Sequence, residues 1–233
     1  MQLIVTGFEK FAEFTYNPSQ LAVEALPEML TLANGESAVP IIRLVLSACC
    51  ERAWDALVPV LTRQPGTPTV VILTGLASRR DRINLERFAL NIKDYRIPDN
   101  DGHQPEDEPI DSSGPEAIRT KLPLPSMASR LNDLDYLCMV SNHAGTFLCN
   151  EIYYRCLRTL ELSGSPSTAL FVHLPLPESY LSAQKPIEEI PAEFELTDSE
   201  RRQIIDTYSS ALQEIGAFAC EWLSERCASP SSH

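Results

Sequence analysis

Cys149 offers the most reactive side chain of the sequence. It follows the small-residue run Ser141-Asn142-His143-Ala144-Gly145-Thr146, and residues 146 onward read as a helix because Phe147, Ile152, Tyr153, Cys156 and Leu160 recur at near-helical spacing. Cys149 then falls in the first helical turn. Free backbone N–H groups and the positive end of the helix dipole favour an anion there, so its thiol is expected to ionise more readily than one elsewhere. A thiolate attacks carbonyl carbon; the chemistry also needs an imidazole to move the proton and a carboxylate or amide to orient that imidazole. The competing reading is a structural thiol, since free cysteines are among the most buried residues.

Among the four histidines, His103 lies in an acidic loop and His233 at the end of the chain, which leaves His143 and His173 as bases. His143 stands at the turn before the cysteine helix and reaches Cys149 only by a tight local fold. His173 lies near the end of an apolar run, residues 169–175. Residues 83–91 alternate apolar and polar side chains as a strand does, with Glu86 on the same face as Phe88 and Leu90. A carboxylate in that position is costly unless it sits at an edge in water or pairs with another buried polar group. Spacing alone does not bring Glu86, Cys149 and His173 together.

The elements that must do so follow an alternating order. Residues 3–7 and 69–75 read as strands ending in glycine, residues 39–46 as a strand between them and residues 49–63 as a helix. Asn17 as N-cap with Pro18 at the first helical position opens an earlier helix. This β-α-β-α-β order argues for an α/β fold, a single-domain α/β/α sandwich with a mostly parallel twisted sheet, where functional residues gather at carboxyl ends of strands. Residues 136–140 read as a buried central strand, 116–122 and 126–134 as helical, and 94–114 as a long loop of the kind that is functional or disordered. Pro175 and Pro177 stop the His173 strand, and Thr197 with Glu200 forms a capping box opening a final helix through residue 225. One domain, residues 1–227, and a disordered tail, 228–233, are expected; Cys220 and Cys227 read as core or surface thiols.

Composition excludes several function classes. A formal charge of −13 with no Lys/Arg cluster disfavours nucleic acid and anionic membrane, and no segment approaches the roughly 20 apolar residues of a membrane helix. Seven cysteines, with Cys49 and Cys50 adjacent and no CxxC pair, indicate neither a disulfide framework nor a zinc knuckle, and suit a reducing cytoplasm. The acidic, proline-rich stretches 99–111 and 188–200 read as solvated loops.

Thr6-Gly7-Phe8-Glu9, Asn17-Pro18-Ser19, Gly75-Leu76-Ala77, Arg80, Glu86-Arg87, Asn91, Arg96-Ile97-Pro98-Asp99-Asn100, Gln104-Pro105, Ser141-Asn142, Ala144-Gly145-Thr146-Phe147, Cys149-Asn150 and Val172-His173-Leu174-Pro175 occur in that order. Together they resemble the signatures of the pyroglutamyl peptidase I family, the pyrrolidone-carboxylate peptidases. The resemblance implies a cysteine exopeptidase that removes an N-terminal pyroglutamyl residue from peptides through a thioester acyl-enzyme, without metal or organic cofactor. By the same resemblance Glu86, Cys149 and His173 fall at catalytic positions, and Phe8, Phe11, Ile97, Phe147 and Leu148 at positions lining a pocket for the lactam ring. Arg96 matches an arginine near the active site, either helping to stabilise an oxyanion or pairing with Asp94 or Asp99. The family implies a homotetramer or homodimer, for which apolar residues in 171–180 could serve or could equally pack internally.

Two departures stand out. Lys10-Phe11-Ala12-Glu13 replaces a Pro-Phe-Gly-Gly run, so the loop is expected to lose its positive-φ positions and take another path. Ser78-Arg79 stands where a glycine is usual before the arginine matched by Arg80. A homologue that binds or cleaves a different blocked N-terminus, and a purine-phosphorylase-like enzyme on a similar fold, are the alternative readings.

Overall fold

A run of apolar and β-branched residues opens the chain as β1 (Gln2–Phe8), buried along its whole length. The computed structural model describes residues 1–32, 35, 37–64, 66–184 and 195–228. The next helix, α1 (Pro18–Glu24), starts where Asn17 Oδ1 accepts the Ser19 N–H. It packs hard against β1: a Cβ on Gly7 would lie 2.4 Å from the Ser19 carbonyl oxygen. β2 (Met29–Thr31) lies antiparallel to β3 (Ala38–Leu46), and α2 (Cys50–Thr62) and β4 (Thr69–Leu76) follow. Apart from β2, which the sequence reading did not include, these elements match it to within one or two residues.

The second half comprises β5 (Ile83–Leu90), β6 (Ala117–Arg119), α3 (Leu124–Asp133), β7 (Cys138–His143), α4 (Leu148–Leu162), β8 (Thr168–Leu174), α5 (Pro177–Ser182) and α6 (Asp198–Ala228). β1 pairs in parallel with β3 and β4, and β4 with β8, while β5 runs antiparallel to β8 and carries β7 in parallel on its other side. Helices α1, α3, α5 and α6 supply Ala22, Met127, Tyr180 and Tyr208 to one core, and α2 and α4 supply Leu57, Ile152 and Tyr153 to the core on the opposite face. The result is the expected α/β/α sandwich.

Two local readings are corrected and an open one is decided. Residues 117–119 form strand β6, not a helix, because their backbone groups pair with residues 88–90 of β5. The strand before Cys149 is not central: β8 occupies the place between β4 and β5, which leaves β7 at the sheet edge with Met139 44% exposed. Of the two options left open for residues 171–180, internal packing is the one seen, because Phe171, Val172, Leu174 and Tyr180 are all buried. Pro177, read only as a stop, also begins α5 at a position where its missing N–H costs nothing.

The final helix opens as the capping box predicts. Thr197 Oγ1 accepts the Glu200 N–H at 3.2 Å, and Glu200 Oε2 accepts the Thr197 N–H at 2.9 Å. Ala228 closes α6; the rest of the predicted tail, and most of the acidic stretch 188–200, lie outside the described residues. Among the described residues no helix is long and apolar enough to cross a membrane.

Candidate active site

Strand register brings the carboxylate to the imidazole. In the β5/β8 ladder Asn84 pairs with His173 and Glu86 with Phe171, so Glu86 and His173 project from the same face of the sheet. Because β5 is antiparallel to β8, its early residues meet the carboxyl end of β8. His173 Nδ1 lies 2.8 Å from Glu86 Oε1, both groups buried. A carboxylate can only accept, so Nδ1 carries the proton between them, and in the neutral imidazole the lone pair is then on Nε2. Arg80 supports the pair: its guanidinium is 3.5 Å from Glu86 Oε1 and donates to Asn84 Oδ1 at 2.5 Å. Glu86 is therefore the partner of a buried polar group, the second of the two options open in the sequence.

Helix α4 brings the thiol. Phe147 is its N-cap, so Cys149 is the second helical residue, half-buried in the first turn. Asn150 pins that turn to β5, accepting the Leu90 N–H and donating to Leu90 and Ile92 carbonyls, and Tyr153 donates to the Glu86 carbonyl. The thiol comes to rest over Gly75, where a Cβ would approach Sγ to 3.0 Å, and Gly75 is the register partner of His173 on the neighbouring strand. Cysteine, imidazole and carboxylate thus converge over the carboxyl ends of β4 and β8. Against the expected ease of ionisation stand two opposing influences. Burial, then the nearby Glu86 carboxylate, pushes Cys149 up to about 12, and the helix-terminal N–H only partly offsets them.

A cavity of about 370 Å³ opens beside the thiol, with Phe8, Phe11, Ile97, Phe147, Leu148 and Arg96 in its lining. Phe147 packs against Phe11 and Tyr95 at ring-centroid distances of 5.3 and 4.4 Å, and Tyr95 donates to Glu151 beneath. The long loop after β5 is ordered. Asn91 Oδ1 accepts the Ile110 and Asp111 N–H groups, Asp94 and Thr146 exchange two bonds, and Asp99 Oδ1 accepts the N–H groups of Asp101 and His103. That loop delivers Arg96 and Ile97 to the cavity wall, and Arg96 forms no ion pair with Asp94 or Asp99. The turn after β1 keeps a left-handed residue in spite of its missing glycines: Ala12 adopts φ 53°, closed by a bond from the Phe14 N–H to the Phe11 carbonyl. The expected loss of positive φ there is not seen: an alanine takes the left-handed conformation, at a cost in strain.

His143 is exposed on the edge strand and accepts the Gly145 N–H. The sequence reading did not anticipate the parts played by Gly75, Arg80, Asn150 and Tyr153, although all but Tyr153 lie inside the motifs quoted above, nor those of Phe14 and Tyr16, which also line the cavity; Glu13, Ser78 and Arg79, from the two departures noted above, line it as well. Among the described residues one cluster has metal-ligand composition, Cys50, Glu51 and Glu151. Arg155 already donates to both carboxylates, at 2.6 and 2.7 Å, so their charge is answered without an ion.

Comparisons agree with this geometry. The family model for pyroglutamyl peptidase matches residues 1–201. The pyrrolidone-carboxylate peptidase of Thermococcus kodakarensis is 36% identical over 175 residues, 75% of this chain and 81% of the relative, and that of Aliivibrio fischeri is 33% identical across 92% of this chain and 98% of its own. The crystal structure of Bacillus amyloliquefaciens pyroglutamyl peptidase I covers 94% of this chain and 97% of its own at 27% identity with a TM-score of 0.73. That of the Thermococcus litoralis pyrrolidone carboxyl peptidase covers 96% and 95% at 26% identity with a TM-score of 0.76. With sequence motifs, sheet topology and family match in agreement, the chain belongs to the pyroglutamyl peptidase family.

Proposed function

We propose that the chain hydrolyses the amide bond after an N-terminal pyroglutamyl residue, with Cys149 as nucleophile, His173 as general base and acid, and Glu86 as the group that orients the imidazole. The observation that carries the reading is the convergence of a helix-terminal thiol with the His173–Glu86 pair beside an apolar cavity. Pyroglutamate has a neutral, compact lactam ring and no free amine, which suits a slot walled by Phe8, Phe11, Ile97, Phe147 and Leu148.

The thiol is protonated at rest, so sulfur attacks the carbonyl as His173 takes its proton. Backbone N–H groups at the start of α4, with Arg96 nearby, stabilise the oxyanion. The imidazolium protonates the leaving amine, giving a thioester; His173 then deprotonates water, which releases pyroglutamate and restores the thiol. The substrates are peptides with N-terminal pyroglutamate, and seven free thiols support a cytoplasmic setting.

A chromogenic pyroglutamyl amide and the matching prolyl amide test the reading, before and after iodoacetamide has modified Cys149. Release from the pyroglutamyl compound alone, lost on alkylation and absent in Cys149→Ala, is expected. Full turnover by folded Cys149→Ala would overturn the nucleophile. Preference for the prolyl amide would overturn the lactam pocket and assign Glu13, the carboxylate in the cavity lining, to an N-terminal amine.

A further inference from the structure

The cavity carries charge that the hydrolytic chemistry does not use. Arg79 occupies a corner of the turn after β4, and that turn is fixed at both ends. Ala77 N–H donates to the Leu174 carbonyl at the end of β8, and Arg80 N–H closes back on the Ala77 carbonyl. The two neighbouring arginines are used differently. Arg80 reaches inward to Asn84 and Glu86, whereas Arg79 is exposed, forms no ion pair among the described residues and lines the same cavity as Cys149. Arg96, equally exposed, is a second guanidinium in that lining, and Glu13 is its one carboxylate.

Orientation follows from the lactam reading above, on which this inference rests. With the ring among Phe8, Phe11, Phe147 and Leu148 and the scissile carbonyl at Cys149, the leaving peptide must extend toward the exposed part of the cavity. We propose that Arg79 makes this enzyme select substrates with a carboxylate just past the scissile bond, either on the side chain of the second residue or at the C-terminus of a dipeptide. The overall charge of −13 does not oppose this at short range. Exposed charges farther away than about 8 Å are largely screened at physiological salt. Of the nearer carboxylates outside the lining, Glu86 is paired with Arg80 and Glu178, which bonds the lining residue Tyr16, with Arg201, leaving two guanidinium groups against one carboxylate on the cavity wall.

Three substrates separate the sources of the carboxylate: pyroglutamyl-alanine amide, which has none; pyroglutamyl-alanine, with a terminal one; and pyroglutamyl-glutamate α-amide, with one on the side chain. The expected result is a kcat/KM about threefold higher for one or both acids than for the neutral amide at low salt, carried mainly by KM, as befits an exposed pair. That ratio should fall toward one in Arg79→Gln and at high salt. Equal kcat/KM on all three in the wild-type enzyme overturns the inference while leaving the hydrolytic function standing, as does a preference that survives Arg79→Gln. Cleavage of none of the three would overturn the function itself and the inference with it.

Discussion

At the residue scale, Cys149 is held between opposing influences. The first turn of α4 favours a thiolate, yet burial and the Glu86 carboxylate push the thiol up to about 12, so the protonated form dominates at neutral pH. The rate of iodoacetamide modification at Cys149, followed by peptide mass mapping, should therefore climb through pH 7 to 10 without levelling near the ordinary thiol value; a plateau below pH 7 would contradict a neutral resting thiol. Gly75 sets where the sulfur lies. Gly75→Ala puts a methyl 3.0 Å from both Sγ and Phe171 Cζ, and a sulfur displaced by less than an ångström should cost about 10²-fold in kcat with little change in Tm. Glu86→Gln keeps the shape but no longer fixes the imidazole tautomer, so kcat should fall roughly 10²- to 10⁴-fold with KM little altered. Cysteine, histidine and glutamate were legible in sequence as types and motifs. The thiol's protonation was not, because desolvation depends on what packs around it.

At the element scale, the motif-bearing strands and caps were readable because their signals are local. Asn17 before Pro18 and Thr197 before Glu200 satisfy helix-end N–H groups within three residues. Thr197→Ala should lower stability by about 1 kcal/mol, seen as a reduced urea midpoint at unchanged m-value. The turn after β1 tests the opposite case, a backbone conformation kept without its preferred residue. Ala12 at φ 53° stores about 1 kcal/mol of strain, most of which the entropy of glycine in the unfolded chain offsets, so Ala12→Gly should raise Tm by only about 1–2 °C. β6 and β7 were misread for a common reason: short apolar runs fit helix, edge strand or central strand equally well until a partner strand is known.

At the scale of the whole molecule, four thiols, Cys138, Cys149, Cys156 and Cys220, are each pushed up to about 12 by burial. The sign is that of acids held protonated by folding: the folded chain keeps protons that the unfolded chain loses above the ordinary thiol value of 9.0. Stability should be unaffected by these groups below pH 8, then decline between pH 9 and about 12, with each thiol steepening the decline. Urea midpoints at pH 8 and pH 10 check this; an equal or higher midpoint at pH 10 would contradict it. The sequence by itself determined the alternating α/β order, the helix caps, the nucleophile candidate and, through ordered motifs, the family, because propensity, capping and motif spacing act within a few residues. Only the tertiary structure decided that β8 lies between β4 and β5. That register, set by contacts between segments about 90 residues apart in sequence, joins Glu86 to His173, which the chain order alone could not do.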